Sequence, residues 1–552
     1  MLEEINTFLL AQPIMMLFLV LGLGYLVGNV SVGGISLGAV GGVLLVGLFF
    51  GHHGHTLYSG AQTFGFVLFI FCVGIQAGPK FFDVLLTSGL KYLSLALLVA
   101  ATGFGLSLLL ANLLDFAPGL AAGLMGGAMT TTPTLAAAQD AVNSGLVQPT
   151  DGMTREQLLT NIGAGYALTY LFGLIGLILV VRLMPRLLGI DLPAAAAELE
   201  GDDADGSTNV ARLSRRVYRV TQPQVQEMSL REIESMVRGK ATLIAARRDG
   251  ERIPLRYDTR LQLGDEVLVV GDAGHLVENS HRIGEEIADP VAHSVAMEVA
   301  QIVVSNPDVV GRSLDELETA EWVGVLPLRV RRNRTEIPMT GELELHRGDV
   351  ITVYGPEEFI EKSTHYVGHV ERDVSETDLF TFALGAAAGV LIGTLSVTLG
   401  GVTIGLGLAG GLLISGLVIG FLRSIWPVFG RVPSAASWLM MELGLLIFMA
   451  GVGLNSGAGI VAIVQDAGLK LIGAGVLVTL VPVFVGYFFS RKVLKLNAAE
   501  TLGAVTGAMT SGAALSVVND AARSNAPALG YTGTYAFANV ILTVAGTLIM
   551  LL

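Results

Sequence analysis

The chain carries a single cysteine, Cys72, in 552 residues, so no disulfide can form within it. Charge is scarce too. Asp, Glu, Lys and Arg make up 14% of the sequence, against about 25% in soluble domains. No H-E-x-x-H, G-x-S-x-G or P-loop motif occurs, which argues against a membrane-embedded enzyme, and no cofactor is expected. A TVGYG-like ion filter is missing as well. The first residues, MLEEINT, are acidic and lack the basic region of a cleaved leader, so the first apolar segment is expected to remain as a helix.

What is present is apolar. Hydrophobic residues reach 52% and the mean hydropathy is +0.65. Segments of about 20 apolar residues, enough to span a bilayer, fall near 12–30, 34–51, 61–79, 90–114 and 160–184. They recur near 379–397, 401–422, 436–455, 468–490 and 530–552. The charge sits between the two sets. Residues 190–375 hold 34 of the 47 acidic and 21 of the 33 basic residues. One soluble insert therefore interrupts two membrane halves, and its acidic excess favours solubility without naming a partner.

The halves are copies of each other. Gly127–Asp140 reads GAMTTTPTLAAAQD and Gly507–Asp520 reads GAMTSGAALSVVND. Gly38, Gly41, Gly42, Gly47 and Gly51 match Gly407, Gly410, Gly411, Gly416 and Gly420. In the third span Gly65, Phe69, Gly74, Gln76 and Gly78 match Gly444, Phe448, Gly453, Asn455 and Gly457. Tyr166 and Tyr170 match Tyr531 and Tyr535. The two GAMT stretches are too polar and too rich in Gly, Thr and Pro for an ordinary spanning helix. Such runs are tolerated at membrane depth only where buried in protein or lining a cavity, and paired runs in two halves point to a transporter's binding site.

Five spans and one re-entrant broken element per half make the second repeat upside down relative to the first. This places Lys80, Lys91, Arg182, Arg186, Arg423, Arg431, Arg491, Lys492, Lys495 and Arg523 on one side and leaves Arg155 and Lys470 on the other. By the excess of basic residues, the first side and residues 190–375 are cytoplasmic and both termini lie outside an inner membrane. The expected fold is an α-helical polytopic membrane protein with an inverted repeat and an inserted α+β region. Its expected parts are membrane repeat 1 (1–189), two similar small cytoplasmic regulatory domains (206–288 and 289–373) and membrane repeat 2 (374–552). The insert shows its own duplication: LQLGDEVLVVG at Leu261–Gly271 returns as LELHRGDVITVYG at Leu343–Gly355. Each is a Gly-Asp turn followed by an alternating strand, with helices expected at His275–Ile287 and Pro356–Val367. Residues 194–208 read as a flexible linker.

The paired GAMT stretches, the paired spans ending GIQAGP and GLNSG, and the paired L-x-x-G-D strands resemble the aspartate:alanine exchanger family of bacterial secondary transporters. The resemblance covers essentially the whole chain. It implies two membrane repeats flanking two regulator-of-potassium-conductance C-terminal domains, and exchange of amino acids or dicarboxylates such as aspartate, alanine or succinate. It leaves open which substrate applies here and whether transport is exchange or coupled to protons or sodium.

The substrate-binding candidates are Thr130, Thr131, Thr132 and Pro133, with Thr510, Ser511 and Gly512 opposite. Pro133 lacks an N–H and would disrupt a helix, and a helix restarting there would turn free N–H groups toward a carboxylate. The competing reading is close packing of small residues. Gln76 and Asn455 could donate to a carboxylate or ligate a cation, or simply bond across helices. Tyr166 and Tyr531 could touch substrate or sit in an aromatic belt. Asp140, Asp520 and Glu442 are candidates for a coupling ion, the two aspartates also for helix capping. The run His52–His55 reads as an exposed turn, and no metal site is assigned. No Lys or Arg lies in the middle of a span, although a dicarboxylate is often met by one. The partners implied are a small carboxylate or amino acid, the lipid bilayer, a small molecule or ion on the cytoplasmic domains, and a second copy in a homodimer; no nucleic acid. A cation channel or cation transporter gated by those domains is the alternative function.

Overall fold

The computed structural model describes the chain except for residues 1–7, 33–34, 87–88, 150–151, 201–212, 227, 231, 234–240, 257, 273–275, 277–282, 288–296, 319–323, 333–334, 371–376, 400–401, 426–429 and 431. It divides into two compact units: Met1–Ala196 with Ser375–Leu552, and Ala197–Val374. Among the described residues of the first unit, five helices are long and apolar enough to cross a membrane.

In the first half of that unit the helices are α1 (Pro13–Asn29), α2 (Gly38–His52), α3 (Ser59–Leu86), α4 (Leu90–Leu113), α5 (Leu120–Ala128), α6 (Thr132–Asn143) and α7 (Arg155–Leu187). In the second half they are α8 (Leu379–Thr394), α9 (Gly407–Ile425), α10 (Ser434–Lys492), α11 (Ala498–Ala508), α12 (Gly512–Ala522) and α13 (Pro527–Leu551). Two-stranded hairpins precede α2 (Ser31–Val32 with Ile35–Ser36) and α9 (Ser396–Leu399 with Val402–Gly405). The second and seventh spans therefore start later than hydropathy alone indicates, because an apolar strand and an apolar helix are alike on that measure.

The second half departs from the first at α10. Two spans were expected there, but the helix is continuous over 59 residues, about 88 Å at 1.5 Å per residue, far longer than a bilayer core of about 30 Å. It turns back on itself instead. A Cβ on Gly163 of α7 would lie 3.2 Å from Val452, and one on Gly459 would meet Thr160 at 2.6 Å, so this part runs against α7. Further on, a Cβ on Gly475 would lie 3.2 Å from Thr169, and one on Gly176 3.6 Å from Thr479, so the later part runs with α7. The reversal lies between Gly459 and Gly475, and five crossings per half are preserved. Pro79 of α3 has Ala458 as its counterpart in α10, and the proline inside α10 is Pro482. A helix cannot reverse its axis with every i→i−4 hydrogen bond kept, so α10 comprises two helical arms joined by a bend between Gly459 and Gly475.

The glycines of the duplication are where the two halves touch. A Cβ on Gly65 would stand 2.7 Å from the carbonyl oxygen of Gly444, and one on Gly444 would stand 2.7 Å from that of Gly65. These two positions are equivalent, so the contact is its own mirror and marks a pseudo-twofold axis between the repeats. The same relation links Gly74 against Gly416 to Gly453 against Gly47, with approaches of 2.9 Å in each. Small residues allow this backbone contact in lipid, where apolar side chains gain little from leaving one apolar medium for another.

The insert unit contains two sheets. The first has strands β1 (Leu213–Val220), β2 (Ala241–Arg248), β3 (Glu251–Ile253), β4 (Glu266–Asp272) and β5 (Gly284–Ile287), in the order β3-β2-β4-β1-β5. The second has β6 (Glu298–Val304), β7 (Leu326–Arg332), β8 (Thr335–Ile337), β9 (Val350–Gly355) and β10 (Gly368–Val370), in the same order shifted by five, β8-β7-β9-β6-β10. Gly264 and Gly348 take φ +93° and +82° in the turns that the Gly-Asp pairs announced. Each turn's aspartate binds an arginine 17 residues earlier. Arg332 Nη2 lies 2.6 Å from Asp349, with both side chains buried, and Arg248 Nη2 lies 2.8 Å from Asp265, with the arginine partly exposed. The expected helix Pro356–Val367 is present as Glu357–Val367. Of its expected twin, His275–Ile287, most lies outside the described residues and the end, Gly284–Ile287, is strand β5. The expected linker 194–208 begins inside a helix, Leu192–Glu200, because its alanines and glutamates favour helix and Asp191 accepts the Ala194 N–H at 3.1 Å. Residues 201–208 lie outside the described part.

Candidate functional site

The broken elements are hairpins. Helix α5 runs parallel to α7, with Gly119 against Leu158, Gly123 against Ile162 and Gly173 against Ala128. Helix α6 then returns, since Arg155 Nη2 at the start of α7 donates to Asn143 O at 2.7 Å, and Asn161 Nδ2 donates to Pro118 O at 2.9 Å. Both feet of this hairpin thus stand on one face of the unit. That face also holds the end of α4, where Leu114 O accepts from Lys470 Nζ at 3.4 Å; we call it the upper face. Helix α11 likewise runs with α13, Gly503 against Pro527 and Gly507 against Tyr531. Its foot is at the start of α4, where Tyr92 Oη donates to Glu500 Oε1 at 2.5 Å. The second hairpin therefore enters from the lower face.

The tips meet. Thr130 Oγ1 donates to Met509 O at 2.9 Å, and Thr510 Oγ1 donates to Thr130 O at 3.3 Å. Thr130 and Thr510 both take φ +54°. For a β-branched residue this is an outlier costing about 1–3 kcal/mol, and it occurs twice at equivalent positions. These threonines, not Pro133, break the helices. Pro133 lies in the first turn of α6, where its missing N–H costs nothing. The positive ends of α6 and α12 both begin at this junction. Thr131, the N-cap of α6, makes no side-chain cap, whereas Ser511 Oγ accepts the Ala514 N–H at 3.4 Å. Thr132 Oγ1 lies 3.1 Å from Tyr166 Oη. Tyr166 stacks on Tyr170 at 5.3 Å and Tyr531 on Tyr535 at 5.1 Å, again in symmetric places.

A cavity of about 1060 Å³ opens beside the first hairpin near the upper face. Its wall includes Gln62, Gln139, Asp140, Arg155, Thr394 and Asn455. Three carboxamides form a chain there: Asn455 Nδ2 donates to Gln62 Oε1 at 2.9 Å, and Gln62 Nε2 donates to Gln139 Oε1 at 3.1 Å. Asn455 Oδ1 is anchored by the Leu57 N–H at 3.1 Å. Buried Asp140 accepts the Ala409 N–H at 3.0 Å, so a side chain from hairpin 1 caps the first turn of α9.

A family model described as a predicted permease membrane region, that of the aspartate:alanine exchangers, matches residues 16–186 and again 381–551. The chain belongs to this family. A model described as a TrkA-C domain matches residues 299–367 of this permease, the second sheet of the insert, and the first sheet repeats its topology. No solved structure matches the chain significantly. The protein is thus a multi-pass membrane transporter with a regulatory domain between its two membrane repeats.

The candidates read from the sequence fall into separate groups. Thr130, Thr131, Thr132, Pro133, Thr510, Ser511 and Gly512 gather at the crossing, with Tyr166 bonded to Thr132 and the Tyr531 hydroxyl 3.7 Å from where a Gly512 Cβ would stand. Asn455 and Asp140 line the cavity. Gln76 instead bonds Ser437 Oγ and Met441 Sδ, each at 3.3 Å, and Asp520 is exposed. Glu442 is half-buried near Tyr170, away from the cavity wall. Reading the sequence missed Gln62, Gln139 and Arg155. Gln139 carried a signal, because Gln139–Asp140 and Asn519–Asp520 close the two hairpins with an amide before each carboxylate. Gln62 carried none, since its counterpart is Met441.

Proposed function

We propose that this permease is a secondary transporter, an antiporter of small carboxylates or amino acids such as aspartate, alanine or succinate, working by alternating access. The observation that carries the reading is the crossing, where two hairpins from opposite faces meet through two strained threonines. Helix N-termini and hydroxyls there offer donors to a carboxylate without a lysine or arginine. Thr130–Pro133, Thr510, Ser511 and Gly512 are assigned to substrate, flanked by Tyr166 and Tyr531. Gln76 and Asn455 are assigned to contacts with a carboxylate or a cation. Asp140, Asp520 and Glu442 are assigned to capping or to a coupling ion. The excess of basic residues on one side supports a cytoplasmic insert with both termini outside an inner membrane. There the two small domains sense a small molecule or ion and brace a homodimer.

Thr131→Val and Ser511→Val in reconstituted vesicles test the site. Uptake of labelled substrate should be lost while thermal unfolding stays within a few degrees of the parent. Wild-type uptake in both would remove the crossing from the substrate path. A cation transporter gated through the insert is the second reading, favoured only by the TrkA-C domain.

A further inference from the structure

The repeats differ in several contacts, and one of these differences joins a hairpin to a glycine-rich helix. On the upper face Asp140 of α6 caps α9, and the start of α9 is buried at Gly407 and Ala409. The symmetric contact would join Asp520 of α12 to the start of α2, because Asp140 matches Asp520 and Gly407 matches Gly38. It is not made. The N-terminus of α2 has no side-chain cap, Gly38, Ala39 and Val40 are partly accessible, and Asp520 is exposed. The helices carrying the aspartates differ in the same sense. Every residue of α6 from Thr132 to Val142 is buried, while α12 exposes Gly512, Ala513, Ser516 and Asp520 along one face. Thr134 Oγ1 further ties α6 to α13 through Leu542 O at 2.8 Å.

We infer that Asp140 and Asp520 are alternating latches. The conformation described here has the first latch closed and the second open. Exchanging the roles of the two repeats about their pseudo-twofold axis gives the other conformation. There Asp520 caps α2 at Gly38–Val40, Asp140 leaves α9, α12 becomes buried, and the α6 face becomes accessible from above. A carboxylate on a helix N-terminus is favoured by free N–H groups and by the helix dipole, and two equivalent sites that cannot both close give a two-state element. This inference rests on the alternating-access reading and assigns the two aspartates a positioning role within it.

The test reads conformation without substrate. In a Cys72→Ala background, Ser516→Cys reports access to α12 and Ala136→Cys reports access to α6. Each is labelled with an impermeant maleimide in vesicles of either orientation. Adding Asp140→Ala should slow labelling at Ser516→Cys and speed it at Ala136→Cys. The underlying equilibrium should shift by roughly two- to thirtyfold, the factor expected for loss of one helix cap. Adding Asp520→Ala as well should return both rates toward the parent, and Asp140→Asn, which keeps a capping oxygen, should hold close to the parent pattern. Unchanged rates, faster labelling at both reporters, or no reversal in the double variant would each overturn the latch. Opposed labelling shifts in a protein that moves no carboxylate would sink the proposed function alone. Normal uptake with no labelling shift would sink the latch alone.

Discussion

Replacing Gly65 and Gly444 by alanine, singly and together, probes the crossing of α3 and α10 on the pseudo-twofold axis. The added methyl of Gly65→Ala would sit 2.7 Å from the Gly444 carbonyl oxygen and 2.9 Å from Ile447 Cβ. That of Gly444→Ala would sit 2.7 Å from the Gly65 carbonyl oxygen and 2.8 Å from the Phe69 nitrogen. Ordinary carbon contacts need about 3.5 Å or more, so the helices must part by several tenths of an ångström. Overpacking of this kind costs about 1–3 kcal/mol, and symmetry makes the two single costs similar. Once one methyl has separated the helices the second finds part of the room made, so the double variant should fall short of the sum by about 1 kcal/mol. Gly105→Ala in α4 is the control. Nothing lies within 4 Å of its added methyl, and a helical glycine replaced by alanine gains about 1 kcal/mol. Denaturant unfolding of purified protein in detergent measures all four variants. Two single variants as stable as Gly105→Ala, or a double variant costlier than the sum, would refute the crossing as described.

Three further outcomes follow from other parts of the chain. Arg332→Ala leaves the buried Asp349 carboxylate without its guanidinium and should destabilise the second insert domain by about 3–5 kcal/mol. Arg248→Ala, at the partly exposed twin, should cost about 1–3 kcal/mol; hydrogen exchange on the full-length protein compares them, and equal protection loss would contradict the difference in burial. Asn455→Leu leaves the Leu57 N–H and Gln62 Oε1 without their Asn455 partner and should cost about 1–3 kcal/mol, read as a lowered unfolding midpoint together with impaired uptake. Hydrogen bonding from Arg219, then from Arg247, holds Glu266 below its ordinary pKa. Its contribution is complete above the unfolded value of about 4.3 and is lost as pH falls through the lowered folded value. Proteolysis between β1 and β4 should therefore rise only in that acid range, and a rise at neutral pH would contradict it.

Much of the fold was legible because duplication is a strong constraint. Glycines at matching offsets announced helices that touch through their backbones, and the GAMT stretches announced two hairpins. The Gly-Asp turns announced two equal sheets. What stayed hidden depends on local choices that composition does not resolve. Thr87-Ser88 stands where α10 has Asp466-Ala467, and nothing in that pair says that the second-half chain stays helical while reversing direction. The short strands before α2 and α9 look like helix by hydropathy. At the site, the threonines were visible as polar residues in an apolar run, but their left-handed backbone was not, because β-branched residues rarely adopt it. The carboxamide chain was hidden for another reason. Gln62 acquires its meaning only from Asn455 and Gln139, residues far from it in sequence.

Counterflow in proteoliposomes decides whether this permease exchanges small carboxylates or amino acids. Vesicles loaded with unlabelled aspartate, alanine, succinate or buffer alone would be offered each labelled compound in turn. An exchanger takes up a labelled carboxylate or amino acid rapidly only where a partner substrate is preloaded. No uptake in any pairing, together with a potassium or sodium flux that needs no organic substrate, would contradict it.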